Sequence, residues 1–165
     1  AMAWSDGLTG LANRRRFDHD LADHDRAAEP VSAIMIDVDH FKSVNDTFGH
    51  REGDDALCRV AAVLADNVRQ EDVVYRYGGE EFCVLLPGAS YEDAMTVGDR
   101  IVHAARGITL PDDSHLTVSV GVAHAEACTA SESFQFADRA LLMAKEAGRD
   151  RAVDAGPTER DLQLV

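Results

Sequence analysis

The sequence lacks the features that mark membrane proteins and disulfide-rich proteins. No apolar run approaches the roughly 20 residues that a membrane-spanning helix needs, and the N-terminus does not have the basic and then apolar pattern of a signal peptide. The three cysteines, Cys58, Cys83 and Cys128, are far apart and have no zinc-site spacing. We interpret them as reduced, small apolar residues, and we expect a cytoplasmic domain without a membrane segment in this chain.

Basic residues are also scarce. The chain has 16 Lys and Arg against 30 Asp and Glu, which gives a formal charge of −14. A protein that binds duplex nucleic acid needs a basic surface to displace counterions, so we expect no nucleic-acid partner. An acidic protein that binds a phosphate ligand needs a divalent metal or a few well-placed bases. The alternative is that most of these acids form a solvated surface that aids solubility.

At 165 residues the chain fits one domain, with no internal repeat and no low-complexity segment. Met is the second residue, which suggests a cloning remnant or linker at residues 1–4 and a piece of a longer protein. We expect the domain to span residues 5–155 and a tail to follow at residues 156–165. The full-length protein could be tethered to a membrane through an upstream region.

Hydrophobic periodicity predicts alternating helices and strands. Helices are expected at 14–28, from 54 or 55 to 69, after a Ser90 cap, and at 132–147; strands are expected at 31–41, 72–77, 81–86, 116–125 and, weakly, 151–155. Gly78-Gly79 between two strands predicts a hairpin turn. This order predicts an α+β sandwich of the ferredoxin-like or palm type, with helices on one face of the sheet.

Carboxylates stand beside two of the predicted strands. Asp37 and Asp39 point to the same side of their strand, and Glu80 would join them if the hairpin lies next to it. Converging carboxylates suit Mg²⁺ or Mn²⁺, which usually bind together with substrate phosphates. The alternative is a set of strand-end acids bonded to turn amides. Likewise, Gly78-Gly79 either serves the turn alone or also lets a ligand approach the backbone.

The segment from Phe41 to Leu57 is rich in polar side chains, which include Lys42, Asn45, Asp46, His50 and Asp54. An amide and a carboxylate together can recognise guanine, or the same residues can form turns and caps around Gly49 and Gly53. Lys145 and Arg149, near the end of the last helix, either complement its dipole or contact phosphate. His40 and His50 are interpreted as polar neighbours, since no histidine pair or His-Cys cluster is present.

Five separated segments resemble the GGDEF domains of diguanylate cyclases, in the same order and rough spacing. They are DGLTGLANRRRF (6–17), IDVDHFKSVNDTFGHREGDDAL (36–57), RYGGEEF (76–82), SVGVA (119–123) and AKEAGRD (144–150). The resemblance covers about residues 5–155, with the motif in its GGEEF form. It implies the nucleotidyl-cyclase palm, a mainly antiparallel sheet flanked by helices with GGEEF on a β-hairpin, which agrees with the α+β order above.

The resemblance implies a reaction that condenses two GTP into cyclic di-GMP and two pyrophosphates, with Mg²⁺ or Mn²⁺ as cofactor. Asp37, the Val38 carbonyl and Glu80 would hold metal; Glu80 would also be the base for the GTP 3′-hydroxyl, and Glu81 would support a second metal or the 3′ end. By the same resemblance, Asn45 and Asp54 would bind guanine. Lys42, Lys145 and Arg149 would bind the triphosphate, and Lys42 would also take part in catalysis. Further contacts with GTP would come from Phe41, His50, Gly78 and Gly79. Two domains would meet as a homodimer, under an upstream regulatory domain absent from this chain.

A second motif, Arg69-Gln70-Glu71-Asp72, lies upstream of GGEEF at the offset of the family's inhibitory site for its own product. Arginine suits bidentate contact with phosphate or guanine, whereas an isolated R-x-x-D would be a surface ion pair. The chain departs from the family at Leu142, where an aromatic residue is frequent nearby, and at Asp150, where Asn is frequent. These departures concern local packing rather than chemistry.

Two other functions compete with an active enzyme. A catalytically silent GGDEF domain could act as a receptor for GTP or cyclic di-GMP, but silent members usually lose some of the residues that are intact here: Asp37, Lys42, Asn45, Glu80 and Glu81. A fragment of a palm-type polymerase fits the carboxylates but not the charge or the length.

Overall fold

The computed structural model describes residues 3–123 and 129–156; Cys128 and the predicted tail from residue 157 lie outside them. The elements in chain order are α1 (Arg14–Ala27), β1 (Val31–Val38), α2 (Phe41–Phe48), α3 (His50–Asp66), β2 (Val73–Arg76), β3 (Glu81–Pro87), α4 (Tyr91–Ala105), β4 (Val118–Ala123), α5 (Ala130–Glu146) and β5 (Ala152–Asp154). In this part of the chain, no helix is both long and apolar enough to cross a membrane.

The strands form one sheet in the order β2-β3-β1-β4-β5. β1 is antiparallel to β3 and β4, β2 is antiparallel to β3, and β5 runs parallel to β4. The predicted α+β fold with a mainly antiparallel central sheet is therefore confirmed. The register places Asp37 at the end of β1, opposite Glu81 on β3 and Ser119 on β4.

Helices cover both faces of the sheet, so the expectation of helices on one face is wrong. All eight residues of β1 are buried, and they alternate between two cores. Ile34 and Ile36 pack in the core that contains residues of α3 and α4, whereas Ala33 and Met35 pack in the core with residues of α1 and α5. The nearly continuous apolar run of β1 reflects burial on both sides.

Helix α2 was not predicted from the sequence, which assigned its first residue to the end of a strand and the rest to a polar segment. β1 ends at Val38, α2 begins at Phe41, and α3 begins at His50 rather than at 54 or 55. Only Phe41 and Val44 of α2 are buried, so its apolar stripe is too short for periodicity to detect. Gly49, with φ of 90°, separates the two helices.

The remaining differences lie at the ends of elements. β4 begins at Val118 rather than 116, and residues 124–125 of the predicted strand are outside the described residues. α5 begins at Ala130 rather than 132, because Thr129 caps it with Glu132 in a capping box. The predicted Ser90 cap of α4 is confirmed by its bond from the Asp93 amide.

α5 lies in direct contact with the backbone of β4. A Cβ atom at Gly121 would be 2.1 Å from the carbonyl oxygen of Ala137 and 2.2 Å from the Leu141 amide nitrogen. Only glycine permits this approach. The close packing brings the C-terminal end of α5 over the end of β1, where Asp37 lies.

Candidate active site

The GGEEF hairpin joins the end of β1 and brings two acids together. The Val38 amide donates to the Glu80 carbonyl over 3.2 Å, and the Tyr77 and Gly78 amides both donate to the Glu81 carbonyl, which closes the turn. Asp37 is only 8% exposed. The hairpin is therefore the predicted one, and it lies next to the strand that carries Asp37.

A small pocket of about 90 Å³ opens at this point. It is lined by Asp37, Val38, Asp39, His40, Glu80, Lys145 and Arg149. The Lys145 Nζ lies 2.5 Å from Asp37 Oδ2, so the nearest cation to the buried carboxylate comes from α5. The structure thus gathers Asp37, Val38, Glu80, Lys145 and Arg149, which the sequence predicted from distant segments.

The electrostatics of the pocket resemble those of a cation site. Burial raises the pKa of Glu80 above its usual value, and the nearby Asp37 carboxylate raises it further, while Lys145 opposes both effects. Two acids this close favour a cation between them. Across residues 3–123 and 129–156, no three His, Cys, Asp or Glu side chains converge as a complete metal cage. Two carboxylates and a carbonyl suit Mg²⁺, which keeps positions for water and substrate phosphate.

Glu81 lies opposite Asp37 in the register of β1 and β3. Together with Asp37 and Lys145 it lines a larger open pocket of about 430 Å³ that continues onto α5 at Asp138 and Leu142. The Glu81 carboxylate lies close to Gly78, where a Cβ atom would be 3.0 Å from Oε1. Asp37 therefore lines both pockets, one with Glu80 and the other with Glu81.

Both carboxylate oxygens of Asp39 are bound by groups of the protein, so Asp39 is not placed like Asp37 and Glu80 to hold a metal. Its Oδ2 accepts from the Thr117 hydroxyl at 2.7 Å and the Asp150 amide at 3.1 Å, and its Oδ1 accepts from the Ser119 hydroxyl at 2.6 Å. The alternative of a strand-end acid bonded to turn groups is thus correct for Asp39. His40, which follows it, lines the pocket in a left-handed conformation with φ of 54°.

Asp6 and Arg76 anchor the hairpin turn, and sequence reasoning gave neither residue a role. Arg76 Nη2 and Nε donate to the Gly79 carbonyl at 2.8 and 3.2 Å, and Nη1 lies 3.2 Å from both oxygens of Asp6. Thr9 donates to Asp6 through its amide and its hydroxyl. Both residues lie in segments that resemble GGDEF domains, Asp6 in residues 6–17 and Arg76 in residues 76–82, and this resemblance is the sequence feature that points to them.

The polar segment forms two helices that meet at Asn45. A Cβ atom at Gly53 would be 1.8 Å from Asn45 Oδ1 and 3.2 Å from the Phe41 ring, so the Asn45 amide rests on the backbone of α3. Asp54 follows Gly53 on α3 and is exposed, as are Lys42 and His50. The alternative of turns and caps is wrong for Asn45 and Asp54, since both lie inside helices.

Arg69 and Asp72 form a compact unit between α3 and the end of β3. Arg69 Nη2 lies 3.0 Å from Asp72 Oδ1, the Arg69 amide donates to Oδ2 at 2.8 Å, and Nη2 also donates to the Pro87 carbonyl. The hydrogen bonds to Asp72 raise the pKa of the Arg69 guanidinium. The Asp72 side chain is fully buried while Arg69 is 40% exposed, so this is more than a surface ion pair. Arg100 Nη2 donates to the Asn67 carbonyl at the same helix end.

Comparison with known proteins decides the family. The sequence model described as "Diguanylate cyclase, GGDEF domain" matches residues 3–151. The chain belongs to the GGDEF family. This GGDEF domain is 39% identical over 158 residues to diguanylate cyclase DgcM of Escherichia coli (strain K12), a match that covers 93% of the chain and 38% of DgcM.

Solved GGDEF structures share the fold. The GGDEF domain of DgcB from Caulobacter crescentus, in complex with c-di-GMP, superposes with a TM-score of 0.84 and 32% identity, covering 92% of this chain and 93% of that one. The active GGEEF domain of a diguanylate cyclase from Vibrio cholerae gives 0.77 and 30%, covering 88% and 97%. The chain spans between 34% and 38% of the length of the curated relatives it matches.

Proposed function

We propose that this GGDEF domain is an active diguanylate cyclase that condenses two GTP into cyclic di-GMP and two pyrophosphates. The observation that carries the proposal is the convergence of Asp37, Glu80, Lys145 and Arg149 on one pocket at the end of β1. Two acids beside two bases provide both a metal position and contacts for phosphate. The relatives named diguanylate cyclases and the active GGEEF domain support the same reaction.

Asp37 and Glu80, with the Val38 carbonyl, would hold Mg²⁺ or Mn²⁺, and Glu81 would serve a second metal or the 3′ end. When bound, the metal neutralises charge at the α-phosphate and favours the attacking alkoxide. Glu80 would accept the proton of the GTP 3′-hydroxyl. A carboxyl group whose pKa is raised is a stronger proton acceptor, which suits this role.

The GTP molecule would lie between the α2–α3 pair and the hairpin. Asn45 and Asp54 would bind the guanine edge, since the amide oxygen and the carboxylate accept from its N–H groups. Lys42, Lys145 and Arg149 would hold the triphosphate, with Phe41 and His50 as further contacts. The structure shows no ion pair for Lys42 or Arg149 within residues 3–123 and 129–156, so both charges are available to an anion. Gly78 and Gly79 would let the ligand approach the turn, and space is open at Gly79.

Catalysis would require a homodimer, because each half-site holds one GTP and each 3′-oxygen attacks the other's α-phosphorus. The catalytic unit would be residues 5–155, acting in the cytoplasm, where GTP is available. A regulatory domain upstream would control how two copies meet. Arg69 and Asp72 would bind cyclic di-GMP and inhibit the enzyme, since the exposed guanidinium is already oriented by a buried carboxylate.

The direct test is to incubate the domain with GTP and Mg²⁺ or Mn²⁺ over a range of protein concentrations and to identify the nucleotides by mass. We expect cyclic di-GMP and pyrophosphate, with a specific rate that rises with protein concentration. GTP binding without any product at high concentration would instead identify a silent receptor. A rate independent of protein concentration in a monomeric sample would contradict the homodimer.

A further inference from the structure

Asp39 is a buried carboxylate that the proposed reaction does not use. It is 6% exposed, and its two oxygens accept three hydrogen bonds, from Thr117, Ser119 and the backbone amide of Asp150. An ionised carboxylate has about four acceptor positions, so little capacity is left for a cation. Within residues 3–123 and 129–156, Asp39 has no ion pair, unlike its neighbour Asp37.

The segment that Asp39 holds has an unusual backbone. Arg149 and Asp150 are consecutive residues in the left-handed region, with φ of 65° and 50°. Such a conformation is disfavoured for side chains other than glycine and persists only where surrounding contacts impose it. Asp tolerates it better than Arg because its short side chain can bond locally. The turn therefore needs external support at Arg149.

The backbone of Arg149 is held by the Ala144 carbonyl, which accepts from its amide, and by Arg151 Nε, which donates to its carbonyl, each over 2.9 Å. Asp39 and Arg106 add support through the next residue, Asp150. Asp39 accepts the Asp150 amide over 3.1 Å. Arg106, at the end of α4, donates from Nε to Asp150 Oδ1 over 2.9 Å and from Nη2 to the Asp150 carbonyl over 3.2 Å. Asp150 is thus fixed at its amide, its carboxylate and its carbonyl. Because residue 149 precedes it directly, these bonds and those of Arg149 itself together fix the backbone from which the Arg149 side chain reaches the pocket.

We infer that Asp39 is a positioning residue that fixes Arg149 in the pocket through the Asp150 amide. This rests on the proposed function, in which Arg149 contacts the triphosphate. The consequence is that Asp39 affects the binding of GTP but contacts neither metal nor nucleotide. Arg106 has the same action through the carboxylate and the carbonyl of Asp150.

Two substitutions at Asp39 separate this role from that of a metal ligand. In Asp39→Asn, the amide oxygen can accept from Thr117 and Asp150 while the amide nitrogen donates to the Ser119 hydroxyl, so all three bonds are kept. In Asp39→Ala they are lost. We expect Asp39→Asn to keep wild-type KM and metal dependence, and Asp39→Ala to raise KM for GTP about tenfold with a smaller change in kcat. A metal ligand would give the opposite pattern, with Asp39→Asn strongly impaired and needing more Mg²⁺.

A double-mutant cycle shows whether Asp39 acts through Arg149. GTP and GMP affinities are measured with Ca²⁺ in place of Mg²⁺ for wild type, Asp39→Ala, Arg149→Ala and the double variant, with Asp23→Ala on the exposed face of α1 as control. We expect Asp39→Ala to weaken GTP about tenfold, to leave GMP unchanged and to have no added effect once Arg149 is removed. Additive losses, or equal losses for GTP and GMP, would overturn the inference and indicate general destabilisation.

Hydrogen exchange at the Asp150 amide gives a readout independent of nucleotide. Exchange should accelerate in Asp39→Ala and stay slow in Asp39→Asn, and unchanged exchange in Asp39→Ala would also overturn the inference. Failure of the proposed function is distinguishable, because it would show in the wild type as an absence of GTP binding and product.

Discussion

Lys145 Nζ lies 2.5 Å from Asp37 Oδ2, between residues that are 108 positions apart in the chain. Asp37 is nearly buried and lies next to Glu80, whose pKa its charge helps to raise. The proposed metal site therefore contains a protein cation, Lys145, bound to Asp37, one of its proposed ligands. Lys145, which would contact the triphosphate, is also the counter-charge of Asp37.

Replacing Lys145 by Met should destabilise the metal-free protein. Asp37 would remain buried beside Glu80 without its ion-pair partner, which we expect to lower the free energy of unfolding by about 1–3 kcal/mol. Mg²⁺ should restore part of the loss, so its stabilising effect should be larger in Lys145→Met than in wild type. Urea unfolding in EDTA and in Mg²⁺ measures this. Lys42→Met, the only other lysine of the chain, is exposed and should leave stability unchanged; an equal loss there would contradict the prediction.

Glu80→Gln should keep the fold and nearly abolish synthesis. The amide cannot take the proton of the 3′-hydroxyl and is a poorer metal ligand, so we expect a loss of at least about 10³-fold in kcat. Mass detection of cyclic di-GMP after a fixed time checks this, with circular dichroism as the control for folding. Wild-type activity in Glu80→Gln would remove Glu80 from the base and metal roles together.

Gly53→Ala should affect guanine recognition without touching the acids. The added methyl group would displace the Asn45 amide, whose oxygen lies where the Cβ would be. We expect KM for GTP to rise about tenfold.

Asp54→Ala should raise KM for GTP more than for ITP, since inosine lacks the N2 amino group. Equal effects on both nucleotides would contradict the assignment of Asp54 to that amino group.

Asp6→Asn should destabilise the protein near neutral pH but not in acid. Burial alone would raise the pKa of Asp6, but the hydrogen bonds from Thr9 and Arg76 outweigh it and lower the pKa below its usual value. A carboxyl group with a lowered folded-state pKa stabilises the fold above its unfolded pKa and loses that effect as pH falls through the folded pKa. The difference from wild type should thus shrink below pH of about 4. Urea unfolding near neutral pH and below pH of about 4 tests this, with the exposed Asp18→Asn as the control variant. A difference in stability that does not change with pH would refute the prediction.

Arg69→Ala should relieve inhibition by added cyclic di-GMP and leave the initial rate unchanged. The guanidinium is the exposed group of the Arg69–Asp72 unit, and its loss removes a bidentate anion contact. Initial rates at rising product concentration give the inhibition constant. Arg26→Ala on α1 serves as the control, and unchanged inhibition in Arg69→Ala would reduce the motif to a structural ion pair.

The sequence predicted the parts of the fold that strong periodicity encodes. Many apolar residues lie in β1, in the hairpin and on the buried faces of α4 and α5, so hydrophobic periodicity identifies these elements. α2 buries only two residues, and its Asn, Asp, Ser and Thr residues resemble turns, so periodicity missed it. Placement of helices on both faces depends on crossover geometry, which local pattern does not encode.

The sequence predicted which residues lie in the candidate site but not the hydrogen bonds that hold them there. Asp37 and Glu80 could be paired from strand ends and a hairpin turn. The bonds of Asp39 and the Asp6–Arg76 anchor could not be predicted, because each partner comes from a segment more than 60 residues away in the chain. Spacing identifies residue types that can do chemistry, whereas the fold decides which of them bind the protein itself.

Gly121 sets the position of α5 over the sheet. At this position the backbone of α5 rests on the backbone of β4 with no side chain between them, so the contact fixes the distance of the helix from the sheet. Lys145 lies eight residues beyond Ala137, roughly 12 Å along the helix axis. A change of about 5° in the helix direction at this contact, as a larger residue at position 121 would impose, would displace the lysine backbone by about 1 Å. The separation of Lys145 and Asp37, and with it the charge balance of the pocket, is governed by a contact in the apolar layer that contains no polar side chain.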